Sequence, residues 1–160
     1  MTDGAAAVLL LCMLSGFAEP TLAPAAAIAR GVCRYLNEAG YGTLAEVTLA
    51  SGRRVDIMAL DRAGAILVVE IKSSPADFRA DRKWQDYLAF CDAFAFAVAP
   101  DFPHALLPAT PGLIVADAYG ATELRPAPRT PLAAARRKAL TIRFGLVAAA
   151  RLQRRDDPAL

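Results

Sequence analysis

The chain has 160 residues, a length that suits one domain able to bury its own hydrophobic core. Its net charge is only +2, and its hydrophobic content of 56% is inflated by alanine, so composition does not indicate a membrane protein. The one histidine, His104, excludes Cys/His zinc fingers and nucleases that bind metal through several histidines. Cys12, Cys33 and Cys91 form no CxxC pair, which is typical of buried thiols in a reducing compartment.

Residues 1–23 form an apolar N-terminal extension whose nature is ambiguous. The run from Ala5 to Ala18 resembles a secretory signal peptide, but Asp3 stands where a signal would carry Lys or Arg. The run is also too short to span a bilayer comfortably. We therefore expect a cytoplasmic protein without membrane association, and a secreted protein is the alternative. A translation start at Met13 would also account for the extension.

The pattern of apolar residues divides the rest of the chain into one domain over residues 24–155 and a short tail over 156–160. A helix is predicted from Pro24 to Ala39, because Pro24 suits a first helical turn and Gly40 can end the helix. A second helix opens at Ser74, a suitable N-cap. The remaining predicted elements are strands over 44–49, 53–60 and 66–72, continuation of the second helix to about Cys91 (with or without a break near Ala80), a strand over 93–99, a short hairpin over 113–124, and a helix from Leu132 to about Arg154.

This order of elements predicts an α/β fold, in which a mixed sheet is flanked by helices and a basic helix lies at the C-terminus. Nine Lys and Arg residues lie between Arg125 and Arg155, and this region has no acidic residue. The charge is compatible with a polyanionic partner such as DNA, whose backbone these residues would contact without regard to sequence. It is equally compatible with a solvated helix face.

The first three predicted strands are joined by two hairpins that set their register. Each hairpin loop has three residues and ends in glycine, at Gly52 and Gly64, as in a type I turn followed by a bulge. Loops of this kind place Glu46 opposite Asp56, and Asp56 opposite Glu70. The other face of the strands would then be apolar throughout, which supports the register. The nine residues of that face would be Ala45, Val47, Leu49, Val55, Ile57, Ala59, Leu67, Val69 and Ile71.

Three carboxylates in one cross-strand row would destabilise the sheet by mutual repulsion. A hard divalent cation with oxygen ligands, Mg²⁺ or Mn²⁺, would remove that repulsion. Asp56 and Glu70 are the best ligands, because they are central and adjacent. The main-chain carbonyl of Ile71 can add a third oxygen, and Glu46 can bind directly or through water.

Lys72 lies two residues after Glu70 and therefore on the same face of the strand. It can orient or deprotonate a water molecule, or stabilise negative charge that develops on phosphorus. Arg54, opposite Lys72, can clamp a phosphate, and its charge would favour the neutral form of the lysine. The alternative is that ordinary exposed carboxylates pair with these basic residues on a solvent-facing sheet.

The spacing of Asp56 and the Glu70-Ile71-Lys72 run, after a helix and a hairpin, resembles the PD-(D/E)XK nuclease superfamily. Longer stretches between about Ala25 and Leu152 resemble the MmcB-type DNA repair family within it. The resemblance implies a restriction-endonuclease-like αβββαβ core and an endonuclease role in DNA repair. Val55 stands where the superfamily's name has proline, a position that is often replaced. The matching stretches are Ser51–Asp56, Val69–Ser74, Asp77–Trp84, which is the most distinctive, and Ala116–Ala121.

The resemblance also implies substrate contacts on the helix that follows the third strand. Superfamily members often carry a Lys or Gln there to hold the scissile phosphate, and Lys83 or Gln85 would serve. Trp84 can stack on an unpaired base, and packing between helix and sheet is the alternative for it. Nothing resembles a base-reading helix, so we expect DNA to be recognised by its structure rather than by its sequence.

The main hypothesis is therefore a Mg²⁺- or Mn²⁺-dependent endonuclease that acts in DNA repair. Asp56 and Glu70 hold the metal, Lys72 prepares the water, and Glu46 assists, while the metal polarises the scissile phosphate and lowers the pKa of bound water. A second hypothesis is a non-catalytic DNA-binding or repair-scaffold module that keeps the fold and has lost turnover. A third is a secreted protein whose acidic row is only structural.

Overall fold

The computed structural model describes residues 22–81 and 83–158. Most of the predicted apolar extension, together with Cys12, Arg82 and the end of the predicted tail, lies outside the described residues. Within these ranges, no helix has the length and the apolar character needed to cross a membrane. The elements are helix α1 (Pro24–Glu38), strands β1 (Gly42–Thr48), β2 (Arg54–Leu60) and β3 (Ile66–Lys72), helix α2 (Pro75–Ala80), a 3-10 helix (Trp84–Phe90), strand β4 (Ala93–Val98), a short 3-10 helix (His104–Leu106), strands β5 (Gly112–Ala116) and β6 (Ala121–Arg125), and helix α3 (Ala134–Asp156).

The six strands form one sheet in chain order, from β1 at one edge to β6 at the other. Strands β1, β2 and β3 are antiparallel, β3, β4 and β5 are parallel, and β6 runs antiparallel to β5. On one face, α1 packs through Ile28, Val32 and Leu36. On the other, α2, the Trp84–Phe90 helix and α3 contribute to a larger core around Phe96. The predicted α/β fold, with a mixed sheet between helices and a helix at the C-terminus, is confirmed.

Helix α1 forms where the sequence predicted it and ends one residue earlier. Pro24 occupies the first turn, where its missing N–H costs nothing. Ile28 and Leu36 fall on the buried face at helical spacing. Gly40, with φ of +90°, takes the left-handed conformation that stops the helix. The predicted apolar spacing therefore correctly identified the face of α1 that meets the sheet.

Gly31 determines how closely α1 approaches the turn between β5 and β6. A Cβ atom at this position would lie 2.0 Å from the carbonyl oxygen of Asp117 and 2.4 Å from that of Gly120. One turn later, Arg34 donates a hydrogen bond to the carbonyl of Ala118 at 3.4 Å. Main-chain contact of this kind leaves no room for a side chain. Glycine at this position therefore lets α1 pack directly against the β5–β6 turn.

The two hairpins close as predicted. Gly52 and Gly64 have φ of +81° and +82°, the left-handed conformation that the last residue of each loop requires. Val47 faces Val55 across the first hairpin, as the loop geometry predicted, and the predicted register also holds across the second. Two glycines at the ends of three-residue loops therefore set the alignment of three strands.

The predicted nine-residue apolar face is nevertheless wrong, because the alternation of side chains changes phase at Glu46 and Asp56. Glu46 has a φ of +52°, outside the range of a regular strand, and the two residues are not a ladder pair. Beyond these two residues β1 and β2 pair again in the same register, but the side chains that would face one side of the sheet now face the other. Three predicted residues (Val47, Leu49 and Val55) belong to the core on the α3 side, whereas Ile57, Ala59, Leu67, Val69 and Ile71 lie in or against the core under α1.

The helical connection between β3 and β4 is broken, which was one of the two predicted alternatives. The side chain of Ser74 accepts a hydrogen bond from the N–H of Asp77 and caps α2. The Trp84–Phe90 helix then continues separately as a 3-10 helix. Trp84 stacks on Phe94, with 5.4 Å between the ring centroids. Packing against the sheet, the alternative given for Trp84, is what the structure shows.

Helix α3 is fastened to the rest of the molecule largely by arginine side chains. Leu140 is its buried residue, and Phe144 packs against the same core. Several arginines before and along the helix donate to main-chain carbonyls or pair with side chains elsewhere, while contact of this region with DNA stays a prediction. The contacts are Arg125 to Pro108 and Pro111, Arg129 to Tyr41 and Asp61, Arg136 to Ala89, Arg137 to Gly64 and Asp92, Arg143 to Thr48, and Arg151 to Ala45 and Glu46.

Gly31→Ala should lower the free energy of unfolding by about 1–3 kcal/mol, because the added methyl group must push α1 away from the β5–β6 turn. Urea denaturation followed by circular dichroism measures this change. Gly145→Ala is the matched control, since Gly145 also lies in a helix but a Cβ there meets nothing within 4 Å. The control should raise the free energy of unfolding by roughly 1 kcal/mol. Equal effects of the two substitutions would contradict the close approach at Gly31.

Candidate functional site

A cavity of about 530 Å³ lies between the start of α1 and the strands β1, β2 and β3. Every residue that the sequence predicted to be catalytic or to bind metal lines it. Four alanines at the start of α1 form one wall, and their small side chains leave room beside the charged groups. The lining residues are Ala23, Ala25, Ala26, Ala29, Ala45, Glu46, Asp56, Glu70, Ile71, Lys72 and Asp77.

The cavity lies where β2 and β3 stop pairing. Their ladder ends at the pair Ile57 and Val69. Beyond it, the carboxylate of Asp56 accepts a hydrogen bond from the N–H of Ile71 at 2.7 Å. A side chain thus replaces the main-chain partner that β3 has lost. Strand β3 itself stays in the sheet, because its pairing with β4 continues through Lys72.

Glu70 is buried, with 7% of its surface exposed, and only one of its carboxylate oxygens has a partner. Oε1 lies 3.4 Å from the ammonium of Lys72, whereas Oε2 is buried and meets no hydrogen-bond donor among the described residues. Burial and, next, the charge of Asp56 raise the pKa of Glu70 to about 7 despite the nearby lysine. Burial likewise raises the pKa of Asp56, although the N–H of Ile71 and the charge of Lys72 act against it. The positive charge of Lys72 therefore offsets the effect of burial on these two acids only in part.

Lys72 is held as an ammonium group by Asp81, which the sequence did not assign to the site. Lys72 is 3% exposed, and its Nζ lies 2.6 Å from Oδ2 of Asp81. Burial lowers the pKa of Lys72, but the hydrogen bond to Asp81 and the charges of Glu70 and Asp81 outweigh burial, so the pKa is raised overall. This contact disfavours the neutral lysine that the charge of Arg54 was predicted to favour. The sequence signal for Asp81 was its place within the distinctive Asp77–Trp84 stretch.

Glu46 lies at the exposed edge of the cavity, where its carboxylate pairs with Nη2 of Arg54 at 3.3 Å. The predicted row of three carboxylates does not form, because Glu46 and Asp56 are not a ladder pair and the Glu46 carboxylate pairs with exposed Arg54. Within residues 22–81 and 83–158, no three His, Cys, Asp or Glu side chains lie close enough together to hold a metal ion. Asp56 and Glu70 nonetheless suit a hard cation, since both are oxygen donors and Oε2 of Glu70 has no partner. The other ligands would be the Ile71 carbonyl, water or substrate oxygens.

The chain matches the family described as DNA repair protein MmcB-like over residues 20–159, which is most of its length. It belongs to the MmcB-like family. The family supports a role in DNA repair. The chain is also similar to a solved structure, the SPO1766 protein of unknown function from Silicibacter pomeroyi, with a TM-score of 0.84 and 50% sequence identity. That similarity covers 86% of this chain and 94% of the other. None of the curated proteins matches.

The residues predicted to bind substrate in this MmcB-like protein do not line the cavity. Arg54 pairs with Glu46 at the exposed edge of the cavity but does not line it. The side chains of Lys83 and Gln85 are exposed, and that of Trp84 packs into the core. Contact of these residues with DNA stays a prediction.

The start of α1 brings main-chain donors to the cavity, which no residue pattern predicted. Pro24 has no N–H, Ala23 offers no side-chain cap, and the first turn contains no acidic residue. The first main-chain bond of the helix runs from the N–H of Ala27 to the carbonyl of Ala23 at 3.0 Å. The N–H groups of Ala25 and Ala26 therefore have no intrahelical acceptor. A helix start of this kind attracts anions, phosphate among them.

Glu70→Gln should stabilise the protein at alkaline pH when divalent metal is removed with EDTA. Folding raises the pKa of Glu70 from 4.5 to about 7, so its ionised form opposes folding. The penalty is absent below pH 4.5, grows as the pH rises to about 7, and then stays constant. At about pH 8 the variant should exceed the wild type by about 3 kcal/mol in the free energy of unfolding. Urea denaturation over a series of pH values measures the difference.

Glu46→Gln is the matched control for this experiment. Glu46 lines the same cavity but is exposed, so replacing its solvated carboxylate should change the free energy of unfolding little at any pH. A difference between Glu70→Gln and the wild type that stays constant from acid to alkaline pH would contradict the effect of burial on Glu70.

Proposed function

We propose that this MmcB-like protein is a Mg²⁺- or Mn²⁺-dependent endonuclease of the PD-(D/E)XK type, which hydrolyses phosphodiester bonds of DNA during repair. The observation that carries the proposal is the pair Asp56 and Glu70 in one cavity, with a buried oxygen of Glu70 unpartnered. Lys72 compensates these acids only in part, because it also pairs with Asp81, and burial of incompletely compensated acids destabilises a protein. A divalent cation between them removes that cost. The resemblance to PD-(D/E)XK nucleases gives the metal to the same two residues.

Asp56 and Glu70 would hold the cation, and the main-chain carbonyl of Ile71 would be a further oxygen donor. When bound, the metal would polarise the scissile phosphate and lower the pKa of water. The protein contributes fixed geometry: the N–H of Ile71 orients Asp56, and the pairing of β3 with β4 holds Glu70 in place. Ligands fixed before substrate arrives need no reorganisation during the reaction.

Lys72 acts in its ammonium form. It stabilises negative charge on the phosphoryl oxygens and orients the attacking water. Deprotonation of water, the other role predicted for it, needs the neutral amine, which the hydrogen bond to Asp81 disfavours. Asp81 is thus a positioning residue, and the N–H of Lys83 orients it in turn through a hydrogen bond of 3.0 Å.

The phosphate enters the cavity beside the start of α1. There the N–H groups of Ala25 and Ala26, which have no intrahelical acceptor, donate hydrogen bonds to its oxygens. Because Glu70 and Lys72 are buried, the phosphodiester must leave the surface of a regular duplex to reach them. A single-stranded or distorted segment does this at lower cost, which agrees with recognition of DNA structure rather than sequence.

Asp56→Asn should abolish the heat of Mn²⁺ binding in isothermal titration calorimetry and should abolish metal-dependent cleavage of plasmid and branched DNA. The amide keeps the shape of the side chain but removes the charge that the cation requires. Asp101→Asn is the control, because Asp101 is exposed in the loop after β4 and does not line the cavity. Mn²⁺ binding that survives in Asp56→Asn would refute the assignment of the metal.

Lys72→Gln should retain Mn²⁺ binding but reduce the rate of cleavage by about a hundredfold or more, because it removes the ammonium that meets the developing charge. Single-turnover cleavage at saturating Mn²⁺ measures the rate. Undiminished cleavage would exclude Lys72 from the reaction. If the wild type binds DNA independently of metal and cleaves neither single-stranded, branched nor duplex DNA, the non-catalytic repair module is the better description.

A further inference from the structure

Glu46 is the only non-glycine residue with a positive φ, +52°, in the two ranges that the structure describes. In this left-handed conformation a side chain crowds the main-chain oxygens, so glycine adopts it most readily. Other residues keep it only where the surroundings impose it, and such positions concentrate at functional sites. The conformation of Glu46 therefore needs a cause in the surrounding structure.

Arg151, near the C-terminal end of α3, contacts the main chain at Glu46. Its guanidinium donates from Nη1 to the carbonyl of Ala45 and from Nη2 to the carbonyl of Glu46, the latter at 2.9 Å. One planar group therefore holds two consecutive peptide units. The ammonium of a lysine does not provide two donors in this fixed arrangement.

Glu46 lies at the point in β1 where the alternation of side chains between the two faces of the sheet changes phase. Pairing with β2 lapses at Glu46 and resumes at Val47 and Val55, whose side chains belong to the core on the α3 side. Ala45 and Glu46, the two residues whose carbonyls Arg151 binds, both line the cavity. The arginine thus acts on the segment of β1 that faces Asp56 and Glu70.

We propose that Arg151 is a positioning residue that holds the main chain of Glu46 in the left-handed conformation and so keeps its carboxylate at the cavity of Asp56 and Glu70. The benefit to metal binding and cleavage rests on the proposed function, whereas the effect on the main chain of Glu46 does not. Helix α3 thereby contributes to the site although none of its side chains lines the cavity.

Arg143 offers a matched comparison on the same helix. It also reaches β1, where it donates to the carbonyl of Thr48. Thr48 is paired regularly with Arg54 and does not line the cavity. Removal of either arginine loosens α3 from β1, but only removal of Arg151 should alter Glu46.

The test compares Arg151→Ala, Arg151→Lys and Arg143→Ala with the wild type. The Cα and Cβ chemical shifts of Glu46, which report φ in NMR spectra, should move from left-handed to extended values in both Arg151 variants and stay unchanged in Arg143→Ala. The affinity for Mn²⁺, measured by calorimetry, should fall about tenfold in the Arg151 variants only. Arg151→Lys keeps the charge, so it carries the test if Arg151→Ala does not fold.

Unchanged chemical shifts of Glu46 in the Arg151 variants would overturn the proposal. An equal loss of Mn²⁺ affinity in Arg143→Ala would also overturn it, because both arginines would then act only by attaching α3. A wild type that binds no Mn²⁺ would instead refute the proposed function. In that case the shifts of Glu46 still decide whether Arg151 sets its main chain.

Discussion

The hydrogen bond from the N–H of Ile71 to the carboxylate of Asp56 is the contact around which the site is arranged. Two antiparallel strands normally satisfy each other's main-chain groups, and a strand that loses its partner must find another acceptor. Asp56 supplies that acceptor from its side chain. Strands β2 and β3 can therefore part without leaving a buried N–H unsatisfied, and the space between them becomes the cavity. The same bond places Asp56 beside Glu70.

The charges inside this cavity are balanced locally rather than overall. Lys72 and Asp81 satisfy each other at short range, so the lysine is only partly available to neutralise Glu70. The raised pKa values of Asp56 and Glu70 express the same shortage of positive charge. A cation that binds only the folded protein would relieve it, so binding and folding stability are linked. Asp56 and Glu70, to which we assign metal binding, thus lower the free energy of unfolding when no cation is bound.

Local signals in the sequence were sufficient to predict most of the fold. Gly52 and Gly64 fixed the two hairpins, and with them the strand register, because a left-handed residue at the end of a three-residue loop admits few alternatives. The spacing of apolar residues in α1 identified its buried face for a similar reason. These features depend on a few neighbouring residues, and a single sequence contains that information.

The parts of the site that the sequence did not predict depend on residues far apart in the chain. Strand periodicity assumes an unbroken pleat, and the left-handed main chain of Glu46 breaks it. The partner of Lys72 is Asp81, nine residues away, and the break between α2 and the next helix determines where that aspartate lies. The main-chain donors at the start of α1 depend on side chains that are absent, so no motif marks them. The carbonyls that four arginines of α3 bind also lie far away in the chain, so no local pattern marks them.

The attachment of α3 also sets an order of events during translation. The residues that line the cavity all lie between Ala23 and Asp77, in the first half of the chain, whereas Arg151 follows Glu46 by 105 residues. A growing polypeptide therefore completes the acidic pair long before it has the arginine that turns β1. A partly made or truncated chain can therefore carry Asp56 and Glu70 and still lack the contact that we propose holds the main chain of Glu46.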